Sequence, residues 1–511
     1  MSAPHTELTP EALAQPGRRG MVRVLGGAGT GKSRLLVDTA VAHITAGADP
    51  ESILLLTGSA KLGASARAAV TTALLSAGVR GVVREPLVRT VHSYAFAVLR
   101  LAAQRTGGPP PRLITSAEQD GIVRELLAGE LEDGAGNWPV ELHPALGTAG
   151  FATELRDLLA RCAERGVDPL ALQRLGRLSG RPEWVAAGRF AATYEQVMLL
   201  RSAVGMAAPQ ATMPALGAAE LVGAALDAFA VDADLLAAER ARVRLLLVDD
   251  AQQLDPQAAL LVRVLAAGAD RTILAGDPNQ AVFGYRGADP ALLRLDTPVV
   301  ELIESRRCPS AVADAITAVA ARLPGADRPR AFTGTSERTG SVAVRIAASP
   351  HAEATLIADA LRRAHLVDGV PWSQMAVIVR SVPRVGSGIG RALVAAGVPV
   401  DLPAAESALA QQPAVRALLT VLEATAGSLT GAAALELVTG PIGRVDPVSL
   451  RQLRRALRRI LGHQREFGEL LVAALHRIPE GLPTELGHSL ARVQSVLRAA
   501  RGNHRAGMDP R

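Results

Sequence analysis

At 511 residues, 49% hydrophobic and 20% charged, the chain is long enough for about three or four domain-sized units with real cores, which excludes a disordered tail or a small stapled scaffold. Its 55 basic and 49 acidic residues leave a formal charge of +6, an excess too small to identify a nucleic-acid partner by itself. Cys162 and Cys308 stand too far apart for a disulfide framework or a CxxC metal site. With no signal-peptide core and no apolar run near the length of a membrane span, the expectation is a cytoplasmic protein with no membrane partner.

The leader 1–20 reads as loosely structured, with Gln15 placed so that its amide can reach an adenine edge. Val22 to Leu25 then reads as a buried strand, followed by Gly26-Gly27-Ala28-Gly29-Thr30-Gly31-Lys32-Ser33 and a helix over Arg34 to Ile44, which is the strand-loop-helix context of a Walker A motif. Glycines let successive N–H groups turn toward phosphate oxygens, Lys32 reaches the β/γ-phosphates, and Ser33 offers a hydroxyl to Mg²⁺. Lysine is otherwise found only at Lys61, every other basic side chain being arginine or histidine, so a lysine at this position of the loop carries weight. ATP and Mg²⁺ are the expected cofactors.

A second strand, Glu51 to Leu56, ends in Thr57-Gly58-Ser59-Ala60-Lys61 and leads to a helix over Leu62 to Leu75. A third, Leu87 to Val91, runs into His92-Ser93-Tyr94. The βαβαβ pattern predicts a parallel sheet with ligand contacts at the carboxyl ends of its strands. Residues 105–240 have helical periodicity and almost no strand signal, which predicts a helical insertion; within it Ser116 to Gln119 fits a capping box. The sheet resumes at Arg244 to Val248, whose end delivers Asp249, suited to Mg²⁺, and Asp250, suited to polarising an attacking water. Another strand, Thr272 to Ala275, precedes Gly276-Asp277-Pro278-Asn279-Gln280, where Gln280 can sense the γ-phosphate. Tyr285 then offers a ring to a base and Arg286 a cation to a phosphate. Farther on, Val342 to Ile346 and Met375 to Arg380 read as strands, and Asp446-Pro447 opens a helix with a leucine stripe (Leu450, Leu453, Leu457, Leu461) beside an arginine stripe over 451–459. That arginine face suits either solvent or duplex DNA.

The series GGAGTGKS, TGSAK, TVHSY, VDDAQ, AGDPNQAVFGYRGAD and LIESRRCP, spanning 20–310, resembles the ordered motifs of the superfamily 1A helicases, the UvrD/Rep/PcrA group. The block 151–195 and the stretch 437–459 are similar to the AdnA subunit of actinobacterial AdnAB helicase-nucleases. The resemblance implies an α/β fold: a P-loop RecA-like parallel-sheet domain (1–105 and 241–298) with a large helical insertion (106–240). An incomplete second RecA-like domain (299–445) and the start of a helical 2B region (446–511) would follow. It implies a 3′–5′ ATP-dependent DNA translocase or helicase subunit acting in DNA repair and recombination on single-stranded DNA and single-strand/duplex junctions, beside a second helicase-nuclease subunit. By motif, Gly26 to Ser33 and Asp249 match the phosphate and Mg²⁺ ligands, Gln280 the glutamine coupling γ-phosphate to DNA, and Arg307 the arginine of the second domain that contacts the γ-phosphate. Thr57, His92 and Tyr285 match positions on the DNA path, to which Arg286 adds a cation.

The chain departs from the pattern at Asp250, where the family has glutamate, and at Arg306, where it has an adenine-stacking tyrosine. Motifs V and VI have no counterpart in 311–511, nor does a nuclease cluster of carboxylates and lysine, so the chain is expected to be part of a longer subunit or a truncated relative. The rival reading is a nucleotide-gated DNA-binding subunit with little intrinsic ATPase. A small-molecule kinase explains neither the helical insertion nor the Tyr285-Arg286 segment.

Overall fold

The computed structural model describes residues 13, 19–79, 87–109, 111–204, 215–323, 332–382, 385, 387–401 and 412–506; Gln15 lies outside them. The chain forms two compact units, Met1–Val344 and Arg345–Arg511. The first is built on a six-stranded sheet: β1 Gly20–Gly26, β2 Ile53–Thr57, β3 Val88–Thr90, β6 Leu245–Val248, β7 Arg271–Gly276 and β8 Val299–Leu302. Its order is β3-β2-β6-β7-β1-β8, with every pair parallel. The expected parallel α/β sheet is therefore present, and its sixth strand comes from residues beyond 298.

These strands are parallel because they are apolar on both faces, which only helix layers on both sides can cover. Val24, Leu55, Leu247 and Ile273 point into one core with Leu36, Ala40 and Ile44 of helix α1 (Lys32–Thr45). Leu54, Leu56, Leu246 and Leu274 point into the other, against Val98 of α3 (Val91–Thr106) and Leu261 and Val262 of α10 (Pro256–Ala266). Helix α2 (Ala60–Ser76) lies between β2 and β3 in the chain.

Between β3 and β6 stand the helices α4 (Ser116–Glu132), α5 (Ala149–Arg165), α6 (Pro169–Leu178), α7 (Pro182–Val204), α8 (Leu221–Val231) and α9 (Ala233–Arg242), with the two-residue strands β4 (Arg112–Leu113) and β5 (Ala215–Leu216) paired in parallel. Helices α4 to α7 share a core of their own around Trp138, Leu155, Leu172 and Phe190. The capping box of α4 is one residue earlier than the sequence suggests: Thr115 accepts from the Glu118 N–H, and Glu118 reaches back to the Thr115 N–H. Threonine caps as serine does, and this register sets Glu118 at the third helical position, where its carboxylate completes the box.

Helix α11 (Ser310–Ala320) follows β8 in the first unit; in the second unit, α12 (Pro350–Leu366) and α13 (Ser387–Ala395) pack around Ala358 and Leu393. Helices α14 (Pro413–Ala426), α15 (Gly431–Thr439), α16 (Pro447–Leu461), α17 (Phe467–His476) and α18 (Thr484–Arg505) enclose a separate core containing Leu437, Leu453, Leu457, Leu470 and Leu490. Asp446 caps α16 by accepting from the Val448 and Ser449 N–H groups, as its sequence predicts. The expected strands Val342 to Ile346 and Met375 to Arg380 do not form. Neither segment has a ladder partner among the described residues, so Val344, Ile346 and Ile378 stand 90%, 94% and 95% exposed. Apolar alternation alone makes no strand without a neighbour to share its hydrogen bonds.

Candidate nucleotide and DNA site

Every sequence-predicted site residue of 1–344 among the described residues belongs to a segment leaving the carboxyl edge of the sheet or to the first turn after it. The loop Gly26–Ser33 leaves β1 there, and α1 starts with no side chain capping its first turn, so those N–H groups are offered to an anion. The Lys32 ammonium is drawn over the loop, donating to the Gly26 and Gly27 carbonyls at 2.8 Å each. Burial lowers its pKa, while Asp277, Asp250 and Asp249 raise it and Arg307 lowers it again. Thr30 pins the loop by donating to the Gly27 carbonyl.

Two glycines are required by contact. Gly29 has φ +75°, and a Cβ there would sit 2.4 Å from the Arg307 Cβ and 2.8 Å from the Ser305 Oγ. A Cβ on Gly27 would meet the Phe332 ring at 2.4 Å. The segment after β8 therefore lies directly on the loop: Ser305 donates to the Ala28 carbonyl at 2.7 Å, and Arg307 stands exposed beside Gly29. Arg306 is exposed as well. Phe332, buried against Ala28 and Cys308, was not legible in the sequence, because its partner strand β10 (Thr333–Gly334) pairs with β9 (Glu304–Ser305) across a long stretch of chain.

Asp249 and Asp250 leave β6 beside the loop. Burial pushes the Asp249 carboxyl up, and the Ser33 hydroxyl, hydrogen-bonded to it, partly offsets this. A hydroxyl and a buried carboxylate already in contact are two oxygen donors of the kind Mg²⁺ takes, with phosphate and water completing its shell. Among the described residues no cluster of three His, Cys, Asp or Glu could hold a metal without such help. The residues fit Mg²⁺ bound together with a phosphate.

Asp250 has φ +51°, a left-handed conformation that aspartate accepts more readily than most side chains. Its Oδ1 accepts from the Gln252 amide at 3.1 Å, and the Gln252 Oε1 accepts the Asp277 N–H at 3.1 Å. Asp277 in turn accepts the Gln280 side-chain amide at 2.9 Å. Gln252, only 1% exposed, and Asp277 are site residues that the sequence reading passed over. Their signal was the motif text itself, VDDAQ and GDPNQ, where each adjoins a residue already chosen.

Beyond Gln280 the chain turns outward. Tyr285 is 71% exposed, Phe283 lies 6.3 Å from it ring to ring, and the Arg286 guanidinium covers both at 5.5 and 5.9 Å. An open pair of rings with a cation is a surface on which nucleic-acid bases stack. His92 is exposed near Asp255, which caps α10. The adjacent Tyr94 is buried and donates to Glu239 at 2.7 Å. Thr57 is placed differently from the other expected DNA contacts: its side chain is buried and its hydroxyl donates to the Ser59 carbonyl at 3.2 Å, leaving Gly58 to Lys61 as the exposed part of that turn.

No curated protein matches the chain. The UvrD/REP helicase N-terminal domain matches residues 8–298, more than half of its length and the part that carries the phosphate loop, both aspartates and the aromatic platform. The chain belongs to the UvrD/REP family of ATP-dependent DNA helicases.

Proposed function

We propose that the chain is an ATP-dependent DNA translocase or helicase subunit coupling ATP hydrolysis to movement on single-stranded DNA, 3′ to 5′ as the resemblance implies. Its setting would be DNA repair and recombination at single-strand/duplex junctions, beside a second, AdnAB-like helicase-nuclease subunit. The supporting observation is that the phosphate loop, the carboxylate turn and the exposed rings belong to one sheet edge, and that the carboxylate turn is hydrogen-bonded through Gln252 to the segment Asp277 to Gln280 that leads to the rings. In this reading 1–105 and 241–298 bind the nucleotide, 106–240 is the inserted helical domain, 299–445 begins a second RecA-like domain, and 446–511 begins the 2B region.

The roles follow from chemistry. Lys32 and the N–H groups of Gly29 to Ser33 hold the β- and γ-phosphates, and Ser33 with Asp249 holds Mg²⁺. The metal supplies positive charge that offsets charge on the phosphates. Asp250 orients the attacking water, Gln280 faces the γ-phosphate, and Arg307 adds a cation to it. Phe283 and Tyr285 stack bases while Arg286, His92 and the Ser59–Lys61 turn meet the strand.

The rival, a nucleotide-gated DNA-binding subunit with little ATPase of its own, draws on two observations. Asp250 is a methylene shorter than the family's glutamate, and a misplacement of ~1 Å costs roughly 100-fold in rate. The described residues of 345–511 form no sheet.

Binding titrations test the shared core of both readings. Lys32→Ala is expected to abolish tight binding of a fluorescent ATP analogue, and unchanged affinity would contradict the loop assignment. Tyr285→Ala is expected to weaken oligonucleotide binding by about 1–3 kcal/mol with the melting temperature unmoved. Intact DNA affinity with a lower melting temperature would make Tyr285 a structural residue.

A further inference from the structure

Gln253 has no role in the site as described, although it touches both halves. It closes the single turn Ala251–Gln253 after Asp249 and Asp250, its N–H bonding the Asp250 carbonyl at 2.9 Å. Its side chain reaches into the segment after β7: Nε2 donates to the Gln280 carbonyl at 2.6 Å, and Oε1 accepts the Phe283 N–H at 3.3 Å. Only one orientation of the amide serves both partners, since the reverse would set donor against donor and acceptor against acceptor. Phe283 is itself the hub of the platform turn, its carbonyl accepting the N–H groups of Arg286 at 2.8 Å and Ala288 at 3.2 Å. The neighbouring Gln252, buried and bonded to Asp250 and Asp277, holds the turn rigid from below.

We infer that Gln253 is a positioning residue that joins the carboxylate turn at the nucleotide to the aromatic turn at the DNA, so that each ligand alters the other's affinity through it. The inference rests on the proposed reading that Asp250 faces the phosphates and that Phe283 and Tyr285 stack bases. A displacement of Asp250 reaches the Phe283 main chain through one tight turn and one amide, with no flexible linker between. Because a coupling between two binding sites is reciprocal, it can be read without any turnover. The backbone route Asp277–Gln280 also connects the two regions, but it ends at the start of the platform turn, whereas Gln253 grips the residue on which that turn is built.

The test uses the full chain and a labelled oligothymidylate, whose dissociation constant is measured without nucleotide, with ADP·Mg²⁺ and with a non-hydrolysable ATP analogue plus Mg²⁺. The wild type is expected to shift its DNA affinity about 5-fold or more between nucleotide states, the lower end of typical allosteric couplings. Gln253→Met keeps the side-chain length and removes both hydrogen bonds. It is expected to reduce the shift to less than about twofold, with the melting temperature and the affinity for the analogue alone unchanged. Gln253→Glu keeps the acceptor for Phe283 but sets a carboxylate against the Gln280 carbonyl, and is expected to lose the shift too. Retention of the full shift by Gln253→Met overturns the inference, as does a wild type that binds both ligands with no shift. So does a variant that melts earlier and binds both ligands more weakly in every state, which marks a structural residue. Failure of the wild type to bind the analogue or the oligonucleotide at all overturns the underlying functional reading instead.

Discussion

Asp250 shows how much one backbone angle decides. From sequence it is a carboxylate one methylene too short; in the structure it occupies a left-handed position that a short polar side chain tolerates, and it is steadied by Gln252. Asp250→Asn keeps shape and conformation but removes the charge, so ATP turnover is expected to fall by about 100-fold or more with no change in melting temperature. Unchanged turnover would remove Asp250 from the chemistry.

Glu164 gives a second residue-scale test. Burial pushes its carboxyl up from 4.5 to about 7; Arg161 at 2.5 Å opposes this, Asp255 adds to it and Arg286 opposes it. Between those two pH values the folded state holds a proton that the unfolded state has released, so this group makes stability fall as pH rises through the window and adds no slope above about 7. Melting curves for Glu164→Gln are expected to decline less than wild type between pH 4.5 and 7; parallel curves would contradict the shift. Lys32, Ser33, Asp249, Gln280 and Tyr285 were legible because their chemistry is written in the motifs that hold them. Gln252, Gln253 and Phe332 were not, because their roles come from a tight turn and a distant strand pair that fix the atoms they meet.

At the scale of elements, the strands of the first sheet were legible from runs such as Leu54-Leu55-Leu56 and Leu245-Leu246-Leu247, which are apolar on both faces and have ladder partners on both sides. The same reasoning failed for 342–346 and 375–380, where equally β-prone residues find no ladder. Periodicity reports which side chains prefer a sheet, whereas pairing depends on whether other strands are placed to receive them. The two cases predict different stabilities. Leu247→Ala, which opens a cavity in a closed core, is expected to destabilise the first unit by about 2–5 kcal/mol in urea unfolding. Ile378→Thr, at an open position, is expected to stay within about 0.5 kcal/mol of wild type. A large loss at Ile378 would mean that its segment is paired in solution.

On the scale of the whole molecule, the first unit carries a glycine-rich loop, a pair of carboxylates and an exposed pair of aromatic rings at one edge of a parallel sheet. The second unit is helical among its described residues, with a five-helix core and an α16 face on which Arg451, Arg454, Arg455 and Arg459 are exposed. Charge on a transferring phosphoryl group is commonly met by an arginine from an opposing element, worth about 10³–10⁵ in rate in related P-loop enzymes. In the proposed reading Arg307, which lies beside Gly29, supplies one such cation, and the motif reading of 311–511 offers no second. The chain by itself is therefore expected to bind ATP with Mg²⁺ and, weakly, single-stranded DNA, without working as a complete motor. Steady-state phosphate release by the 511-residue chain, with and without oligonucleotide and beside a strand-displacement assay, tests this most directly. The account predicts slow release, little stimulation by DNA and no unwinding; robust DNA-stimulated release with strand displacement would contradict it.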